Sequence, residues 1–576
     1  MEMNEVLQKL PKHLLNLVID QPYNEYTAQD HAVWRFVMRQ NVHYLPKVAH
    51  HSYIDGLAQA GIGIDSIPNM CEMNRILRKM GWAAVAVDGF IPPAAFMEFQ
   101  AYRVLVIASD IRPVNQIEYT PAPDIIHEAA GHAPIIADPD YAEYLRLFGE
   151  IGSRAFSSAH NYKVYDAIRH LSILKADPYS TPSVIQNAEE NLSHLLVDVN
   201  PDSEMTRIRN LHWWTVEYGL IGDLDKPKIY GAGLLSSIGE SYSSLQPEVK
   251  KIPYSIKASR QSFDITARQP QLFVTPTFCH LVDVLNEFAD GMALRRGGLY
   301  GVKQAIRSGN YGTCVYNSGL QVSGIFTDLI EINDDVAYII TSGKTALAFD
   351  NQQLDGHGKS YHAQGFGSPV GKVKGINQPL YTLNKDQLKK KGIEAGQNTE
   401  IEYESGIRIK GTIKKLTFYK DNLILISWTD CIVRYNDRIL FEPEWGIYDM
   451  AVGEEIISAF SGIADPDAFE FACIPPTEKT HKIAHTEEAK QLYALYQRVR
   501  DIRGEEKNIS ELSTILRTLK SNFPEDWLLP MEIYELAVAH QLDDLMQQSR
   551  EYLEHLKGIK PELERMINNG FETVHK

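Results

Sequence analysis

The chain has 576 residues, which is room for about three or four domains. Hydrophobic residues make up 44% and charged residues 23%, so the composition is that of a folded globular protein and excludes wholesale disorder. The formal net charge of -17 opposes binding to a phosphate backbone, and no nucleic-acid partner is expected.

The first residues are acidic and contain no apolar core of a secretory signal. No stretch approaches the roughly 18 consecutive apolar residues of a membrane-spanning helix. We therefore expect a cytoplasmic protein without a membrane partner. The five cysteines include no CxxC pair, which predicts reduced, mostly buried thiols rather than a thiolate zinc site.

Residues 26–294 are predicted to be mainly helical, because apolar residues recur at helical spacing, as in the segments 32–38, 73–80 and 280–292. After Gly297-Gly298 the pattern changes to short β-branched runs separated by turn residues. Segments 325–332 and 336–341 predict a hairpin across Asn333-Asp334-Asp335, and 423–428 is a candidate buried strand.

Beyond Pro475-Pro476, apolar stripes at 489–502, 512–519 and 542–556 predict a small helical unit. A packed helical cap is favoured over a partner-binding scaffold. The expected architecture is a mainly α domain, then a β-rich domain of unknown role, then a C-terminal helical unit. The expected boundaries are 1–295, 296–476 and 477–576.

His127-Glu128 and His132 superficially suggest the helix of a zinc protease, which needs histidines four residues apart. Here they are five apart, and on a regular α-helix their side chains would point about 140° apart. Gly131 could end or distort the helix and bring His132 back, with Pro134 opposing continuation. On spacing alone, a metal site and two ordinary histidines are equally open.

Glu217 is the candidate third ligand. It follows Trp213 and Trp214 in an aromatic segment, where burying an unpaired carboxylate is costly. The alternative is that Glu217 lies on the one solvent-exposed face of a helix. Two imidazoles and one carboxylate would occupy one face of an octahedral ion, as in non-heme Fe(II) oxygenases.

The sequence resembles the pterin-dependent aromatic amino-acid hydroxylases over residues 26–294, about half of the chain. The matching motifs occur in the family's order and at nearly its spacings. They are Phe96 with Tyr102-Arg103-Val104, Ile111-Arg112, Tyr119-Thr120-Pro121 with Pro123-Asp124-Ile125, His127-Glu128 with Gly131-His132, Thr215-Val216-Glu217, and Tyr230-Gly231-Ala232-Gly233-Leu234-Leu235-Ser236-Ser237 with Gly239-Glu240.

The resemblance implies the catalytic fold of this family and a monooxygenase that uses O2, Fe(II) and a tetrahydropterin, tetrahydrobiopterin or a related pterin. It implies that His127, His132 and Glu217 are the catalytic metal ligands. The implied amino-acid site comprises Arg112, which would pair with the substrate carboxylate, and Thr120, Asp124, Trp213, Gly233 and Ser236. The implied pterin site comprises Gly89, Ile91, Phe96 and Glu128, with the pterin ring stacked on Phe96.

Phenylalanine is the expected substrate, with tyrosine formed from it as in phenylalanine catabolism. Tyrosine or tryptophan hydroxylation is the alternative, because His212 stands where animal members have an aromatic phenol. A zinc hydrolase and a non-catalytic assembly protein are the alternatives from other classes. The match begins near residue 26, so the N-terminal regulatory domain of animal members is not expected. The oligomeric state and the role of 296–576 stay open.

Overall fold

The computed structural model describes residues 4–118, 123–176, 180–198, 200–265, 268–472 and 485–574. None of the helices in these ranges is both long and apolar enough to cross a lipid bilayer. Of the cysteines within them, Cys314 and Cys431 are buried, whereas Cys71 and Cys279 are exposed, so the expectation of mostly buried thiols is met by half of them. Cys473 lies outside the described residues.

The N-terminal half is mainly helical, as predicted. The longest of its helices begins at a capping box in which Thr27 and Asp30 exchange side-chain and backbone hydrogen bonds. The helices of eight or more residues are Ala28–Val48, Ser52–Gln59, Met70–Leu77, Pro93–Ala101, Pro139–Gly152, Ala159–Ala176, Pro182–Val197, Glu204–His212 and Phe278–Asp290. Shorter helices are Lys12–Leu15, Ala232–Leu235, Ile238–Ser243 and Ala293–Arg296.

Two small sheets lie among these helices and were not predicted. Ala83–Val87 and Val104–Ala108 pair in parallel, and every residue of both strands is buried. Such continuous apolar runs are typical of parallel strands covered on both faces, and periodicity cannot distinguish them from buried helix. Val18–Ile19 completes this sheet, and the second sheet has the order Lys228–Ile229, Leu220–Ile221, Gln271–Thr275, Lys250–Pro253.

The region after helix Gly298–Ser308 is rich in strands. The predicted hairpin is confirmed and is longer than expected, since Leu320–Ile332 pairs with Asp335–Phe349. Asn333 and Asp334 both have positive φ, as a tight hairpin turn requires. The first sheet has the order Gln352–Gln353, Asp335–Phe349, Leu320–Ile332, Tyr311–Tyr316, Ile456–Ser461, and Gly367–Pro369 also pairs with Asp335–Phe349.

A second sheet of this region has the order Asn398–Glu402, Ile407–Tyr419, Asn422–Tyr435, Arg438–Phe441. The predicted strand 423–428 lies within Asn422–Tyr435 and is buried throughout. Tyr448–Ala451 pairs with the same strand, and the short helix Lys385–Lys390 precedes the sheet.

The C-terminal helices pack against the N-terminal half and share its hydrophobic core. Trp527 meets Phe36 edge to face with ring centroids 5.0 Å apart, and Arg35 forms an ion pair with Glu535. The three predicted stripes belong to helices Glu487–Glu505, Leu512–Asn522 and Asp543–Ile559. Helices Leu528–Ala539 and Glu564–Val574 were not predicted, and the first is buried almost all round, which removes the amphipathic signal.

Candidate metal centre

The two candidate histidines lie on a π-helical segment, Ile126–His132. A π-helix is wider than an α-helix because its hydrogen bonds join residues five apart. Side chains five residues apart can therefore share one side, and His127 Nε2 lies 3.2 Å from His132 Nε2. The expected distortion is present, although the chain continues directly into the 3-10 segment Ala133–Ala137.

Gly131 does not end the helix. Its role is to lack a side chain at a point of close contact. A Cβ added to Gly131 would lie 2.7 Å from the carbonyl oxygen of Ala232. The absence of a side chain thus lets the segment that carries Gly233 and Ser236 approach the histidines. The Ser236 Oγ atom lies 3.0 Å from His127 Nδ1.

Glu217 ends a second π-helical segment, Trp213–Glu217, and its carboxylate faces both histidines. Its Oε2 atom lies 3.2 Å from His127 Nε2, and its Oε1 atom lies 3.5 Å from His132 Nε2. Burial opposes ionisation of Glu217, but the charges and hydrogen bonds of His132 and His127 outweigh it and hold its pKa well below the usual range. The three residues separated in sequence are therefore one cluster.

This cluster fits a divalent metal ion. Two imidazole nitrogens and one carboxylate converge from one side, as in the facial arrangement of non-heme Fe(II) sites. The Ser236 contact to the far nitrogen of His127 is the kind of outer contact that orients a ligand imidazole. The pKa of His127 is lowered by burial but raised more strongly by Glu217, to about 9, so the cluster favours a positive charge beside the carboxylate.

Glu128 is a second carboxylate beside the cluster. Its Oε2 atom lies 3.8 Å from His132 Nε2, farther than either Glu217 contact. Burial raises the pKa of Glu128 to about 7. Glu217 is therefore better placed to be the third ligand, and Glu128 lies in the wall of the adjoining cavity.

The cluster opens into a cavity of ≈ 280 Å³ that is lined mostly by apolar and aromatic groups. The cavity wall contains ten of the residues predicted from the sequence: Gly89, Ile91, Phe96, Arg112, His127, Glu128, Trp213, Glu217, Gly233 and Ser236. His132 and Asp124 are buried behind this wall. Thr120, also predicted, lies outside the described residues.

The Asp124 carboxylate holds the guanidinium of Arg112 in position. Arg112 Nε donates to Asp124 Oδ2 at 2.7 Å and its Nη2 donates to Oδ1 at 2.8 Å, while Nη1 donates to the carbonyl oxygens of Ile117 and Ser236. The guanidinium of Arg112 lowers the pKa of Asp124 against the effect of burial. Because a guanidinium has five N–H donors, one remains to face the cavity.

The Phe96 side of the cavity is formed by an aromatic group and a turn. The Phe96 ring lies edge-on to His212, with centroids 5.7 Å apart. Gly89 has φ of 61° in the adjoining loop. Arg169 stabilises this loop by donating to the carbonyl oxygens of Asp88 and Phe90, at 3.0 and 2.8 Å.

Trp213 stacks on Phe263 with an interplanar angle of 8° and on Tyr218 with an angle of 24°. The aromatic wall predicted at Trp213 is therefore a group of three rings. Sequence reasoning missed Phe263 and Tyr218. Tyr218 directly follows Glu217, but nothing in the local pattern around Phe263 indicates its position.

Arg209 also lines the cavity and was missed. It lies four residues before Trp213, a spacing that places both residues on one helix face and could have indicated its position. Burial lowers the pKa of Arg209, and within the described part of the chain it has no hydrogen-bond or ion-pair partner. It is a cation available to an anionic group of a ligand.

A family model described as biopterin-dependent aromatic amino acid hydroxylase matches residues 18–166 and 191–298. This part of the chain belongs to that family. Phenylalanine-4-hydroxylase of Mesorhizobium japonicum is 28% identical over 263 residues, which cover 45% of this chain and 79% of the relative. That of Pseudomonas aeruginosa is 27% identical over 277 residues, covering 48% and 88%.

Among solved structures, phenylalanine hydroxylase of Chromobacterium violaceum, with bound iron(III) and 7,8-dihydrobiopterin, is similar to this chain. Its sequence identity is 24% and its TM-score is 0.38, over 51% of this chain and 94% of that one. The residues that the family model matches lie in the N-terminal half, as do the histidine–carboxylate cluster and the cavity.

Proposed function

We propose that the protein hydroxylates L-phenylalanine to L-tyrosine with O2 and a tetrahydropterin, at an Fe(II) ion held by His127, His132 and Glu217. The observation that carries the proposal is the convergence of these three side chains within 3.5 Å at the wall of an aromatic-lined cavity, in the part of the chain that belongs to the hydroxylase family. Bound iron and pterin together supply the activation of dioxygen, with the pterin as electron donor.

The protein's own groups hold the metal in one orientation. Ser236 fixes the His127 ring through Nδ1, which leaves Nε2 directed at the metal position. The Glu217 carboxylate contributes one negative charge and neutral imidazoles contribute none, so a ferrous ion in this site keeps a net positive charge. His127, His132 and Glu217 converge beside the cavity, so a metal ion that they held would be accessible from it.

Arg112 binds the carboxylate of the amino acid in this proposal. Asp124 holds the guanidinium by two hydrogen bonds, so little side-chain entropy is lost when substrate binds. The Trp213, Phe263 and Tyr218 rings contribute an apolar wall for an aromatic side chain. Gly233 and Ser236 form the adjacent wall and leave space beside the histidines.

In this proposal Phe96 would stack on the pterin ring, and Gly89, Ile91 and Glu128, which line the same cavity, would contact its polar edge. The raised pKa of Glu128, caused by burial, lets it donate as well as accept a hydrogen bond near neutral pH. Apolar groups around both ligands exclude bulk water from the reacting atoms.

We also propose the division into a catalytic part at 1–295, a β-rich part at 296–476 and a helical part at 477–576. The catalytic and helical parts share a core, whereas the β-rich strands form two other cores, one of which also includes Phe156 and Ala293 of the catalytic part. A structural role for the helical part follows from this sharing.

The test is turnover of full-length protein loaded with Fe(II), given tetrahydrobiopterin and each of phenylalanine, tyrosine and tryptophan separately. We expect tyrosine from phenylalanine at the highest kcat/KM. A higher kcat/KM for tryptophan or tyrosine would overturn the substrate assignment while keeping the family. Hydrolytic activity with zinc, or no pterin oxidation with any amino acid, would overturn the proposed reaction.

A further inference from the structure

A second group of metal-binding side chains lies in the strand-rich region, far along the chain from the cluster described above. His357 and His362 belong to the loop after strand Gln352–Gln353, and Asp449 lies on strand Tyr448–Ala451. His357 Nδ1 lies 3.2 Å from His362 Nε2 and 4.0 Å from Asp449 Oδ2. The loop and the strand belong to different sheets.

The three residues are buried, with exposed fractions, taken over the whole residue, of 8% for His357, 7% for His362 and 5% for Asp449. The Oδ1 atom of Asp449 accepts a hydrogen bond from Ser427 Oγ at 2.5 Å. Its Oδ2 atom makes no hydrogen bond of normal geometry among the described residues and lies on the side of His357, and the Tyr361 hydroxyl is the other polar group that interacts with Asp449. A buried carboxylate oxygen without a partner carries a large desolvation cost.

The two histidines do not offset the desolvation cost of the Asp449 carboxylate. Both rings are buried and in contact with each other through His357 Nδ1 and His362 Nε2. Two neutral rings in contact can share one N–H···N bond and supply no charge to Asp449. Tyr361, whose ring packs against both imidazoles, is half exposed, and Lys415 near His357 is exposed and screened by solvent.

A bound divalent cation supplies the positive charge that Asp449 lacks. It also gives Asp449 Oδ2 and the two imidazole nitrogens a common bonding partner. Metal bonds of about 2.0–2.1 Å in a tetrahedral site place ligand atoms roughly 3.3 Å apart, close to the 3.2 Å between the two imidazole nitrogens. Asp449 Oδ2 lies 4.0 Å from His357 Nδ1, so it would need to approach that nitrogen by about 0.7 Å to reach this separation. Neutral imidazoles and a carboxylate are ligands that zinc accepts.

We propose that His357, His362 and Asp449 bind Zn²⁺ as a second metal site, separate from the catalytic cluster. Coordination joins the loop 357–362, which pairs with strand Asp335–Phe349 through Thr345 and His362, to the strand that carries Asp449. The site thereby fixes the two sheets to each other. It does not depend on the reaction proposed for the N-terminal half.

The test uses full-length protein in which His127→Ala and His132→Ala remove the first cluster. After removal of metals with EDTA, Zn²⁺ is titrated against a chromophoric chelator, and Co²⁺ is titrated while visible absorption is recorded. We expect one equivalent of Zn²⁺, a Co²⁺ spectrum of tetrahedral intensity, and a higher Tm with Zn²⁺ than without. Adding His362→Ala or Asp449→Ala should remove the stoichiometric binding, and His555→Ala, at an exposed histidine, should retain it.

The Co²⁺ spectrum is measured on the intact second site, so it does not depend on whether the substituted loop folds. Absence of stoichiometric Zn²⁺ binding and of the Co²⁺ bands in this protein would overturn the proposal. Unchanged binding after His362→Ala would also overturn it. Wild-type protein should bind two divalent ions per chain, and His362→Ala one.

Discussion

The proposed catalytic cluster and the proposed zinc cluster have the same spacing and different surroundings. In both, the histidines are five residues apart and the carboxylate comes from about 90 residues farther along the chain. A π-helix brings His127 and His132 together beside a cavity, whereas a loop between two sheets brings His357 and His362 together. The side chains of His127 and Glu217 are 19% and 13% exposed, and those of His357 and Asp449 are 11% and 3% exposed.

The difference teaches that the ligand set and its spacing do not distinguish a reactive metal site from a structural one. Access distinguishes them, because a reacting site must admit substrate to positions that the protein leaves free. The cluster at the cavity wall meets this condition through Gly131, Gly233 and the aromatic groups around Trp213. The second cluster lies between packed strands and joins them.

The largest expected effect is the loss of activity when a catalytic ligand is removed. Glu217→Ala should lower kcat/KM for phenylalanine by on the order of a thousandfold or more, because metal chemistry contributes several kcal/mol to the barrier reduction. Asp449→Ala is the matched change in the second cluster and should leave kcat/KM within about threefold. Steady-state tyrosine formation measures both, and equal losses would remove the distinction between the two clusters.

The next effect concerns Arg112. Arg112→Lys should raise KM for phenylalanine by about 10- to 100-fold with a smaller change in kcat, because a charge-assisted hydrogen bond contributes about 1.5–3 kcal/mol. Unchanged phenylalanine affinity, measured by calorimetry on folded protein, would mean that Arg112 only neutralises Asp124. Asp124→Asn, with Arg112 intact, should raise KM less than Arg112→Lys does.

A smaller effect is expected at Ser236. Ser236→Ala removes the contact to His127 Nδ1, and loss of such an outer contact costs about 10-fold or more in metal affinity. Iron binding by the apo protein, followed by competition with a chelator, measures the change. Ser427→Ala, which removes the hydrogen bond to Asp449, should weaken Zn²⁺ binding and leave iron affinity unchanged. Weakened iron binding in Ser427→Ala would show that the clusters are coupled.

The smallest effect is expected at Phe96. Phe96→Leu keeps an apolar group but removes ring stacking, which contributes about 0.5–1.5 kcal/mol. The KM for the tetrahydropterin should therefore rise about 2- to 10-fold, while phenylalanine KM changes little. Phe96→Tyr is the control that keeps the ring. A larger effect on phenylalanine than on pterin would place Phe96 in the amino-acid site instead.

Much of this site could be predicted from the sequence, since motif order indicated the family and the three side chains that the structure brings together. The π-helical turn could not be predicted. Histidines five residues apart cannot share one side of a regular α-helix, and Gly131 was compatible with either the end of the helix or its distortion. Arg209 was within reach of helical periodicity. Phe263 was not, because it comes to Trp213 only through tertiary packing.

The fold outside the family match was predictable where local signals are strong. The hairpin around Asn333 and Asp334 carries its own turn chemistry, and the helix Glu487–Glu505 carries an apolar stripe. The second histidine cluster carried no such signal, because Asp449 is distant in sequence from His357 and His362. The pairing of strands from distant segments determines whether the side chains of such a site come together.

The measurement that most directly tests the central claim is the rate of tyrosine formation as a function of iron bound per chain. Apo protein is reconstituted with increasing Fe(II), the iron bound at the site is quantified, and turnover is followed with phenylalanine and tetrahydrobiopterin. The account predicts a rate proportional to bound iron up to one equivalent, and neither iron binding nor turnover in Glu217→Ala. Turnover in metal-free protein, or full turnover in Glu217→Ala, would contradict it.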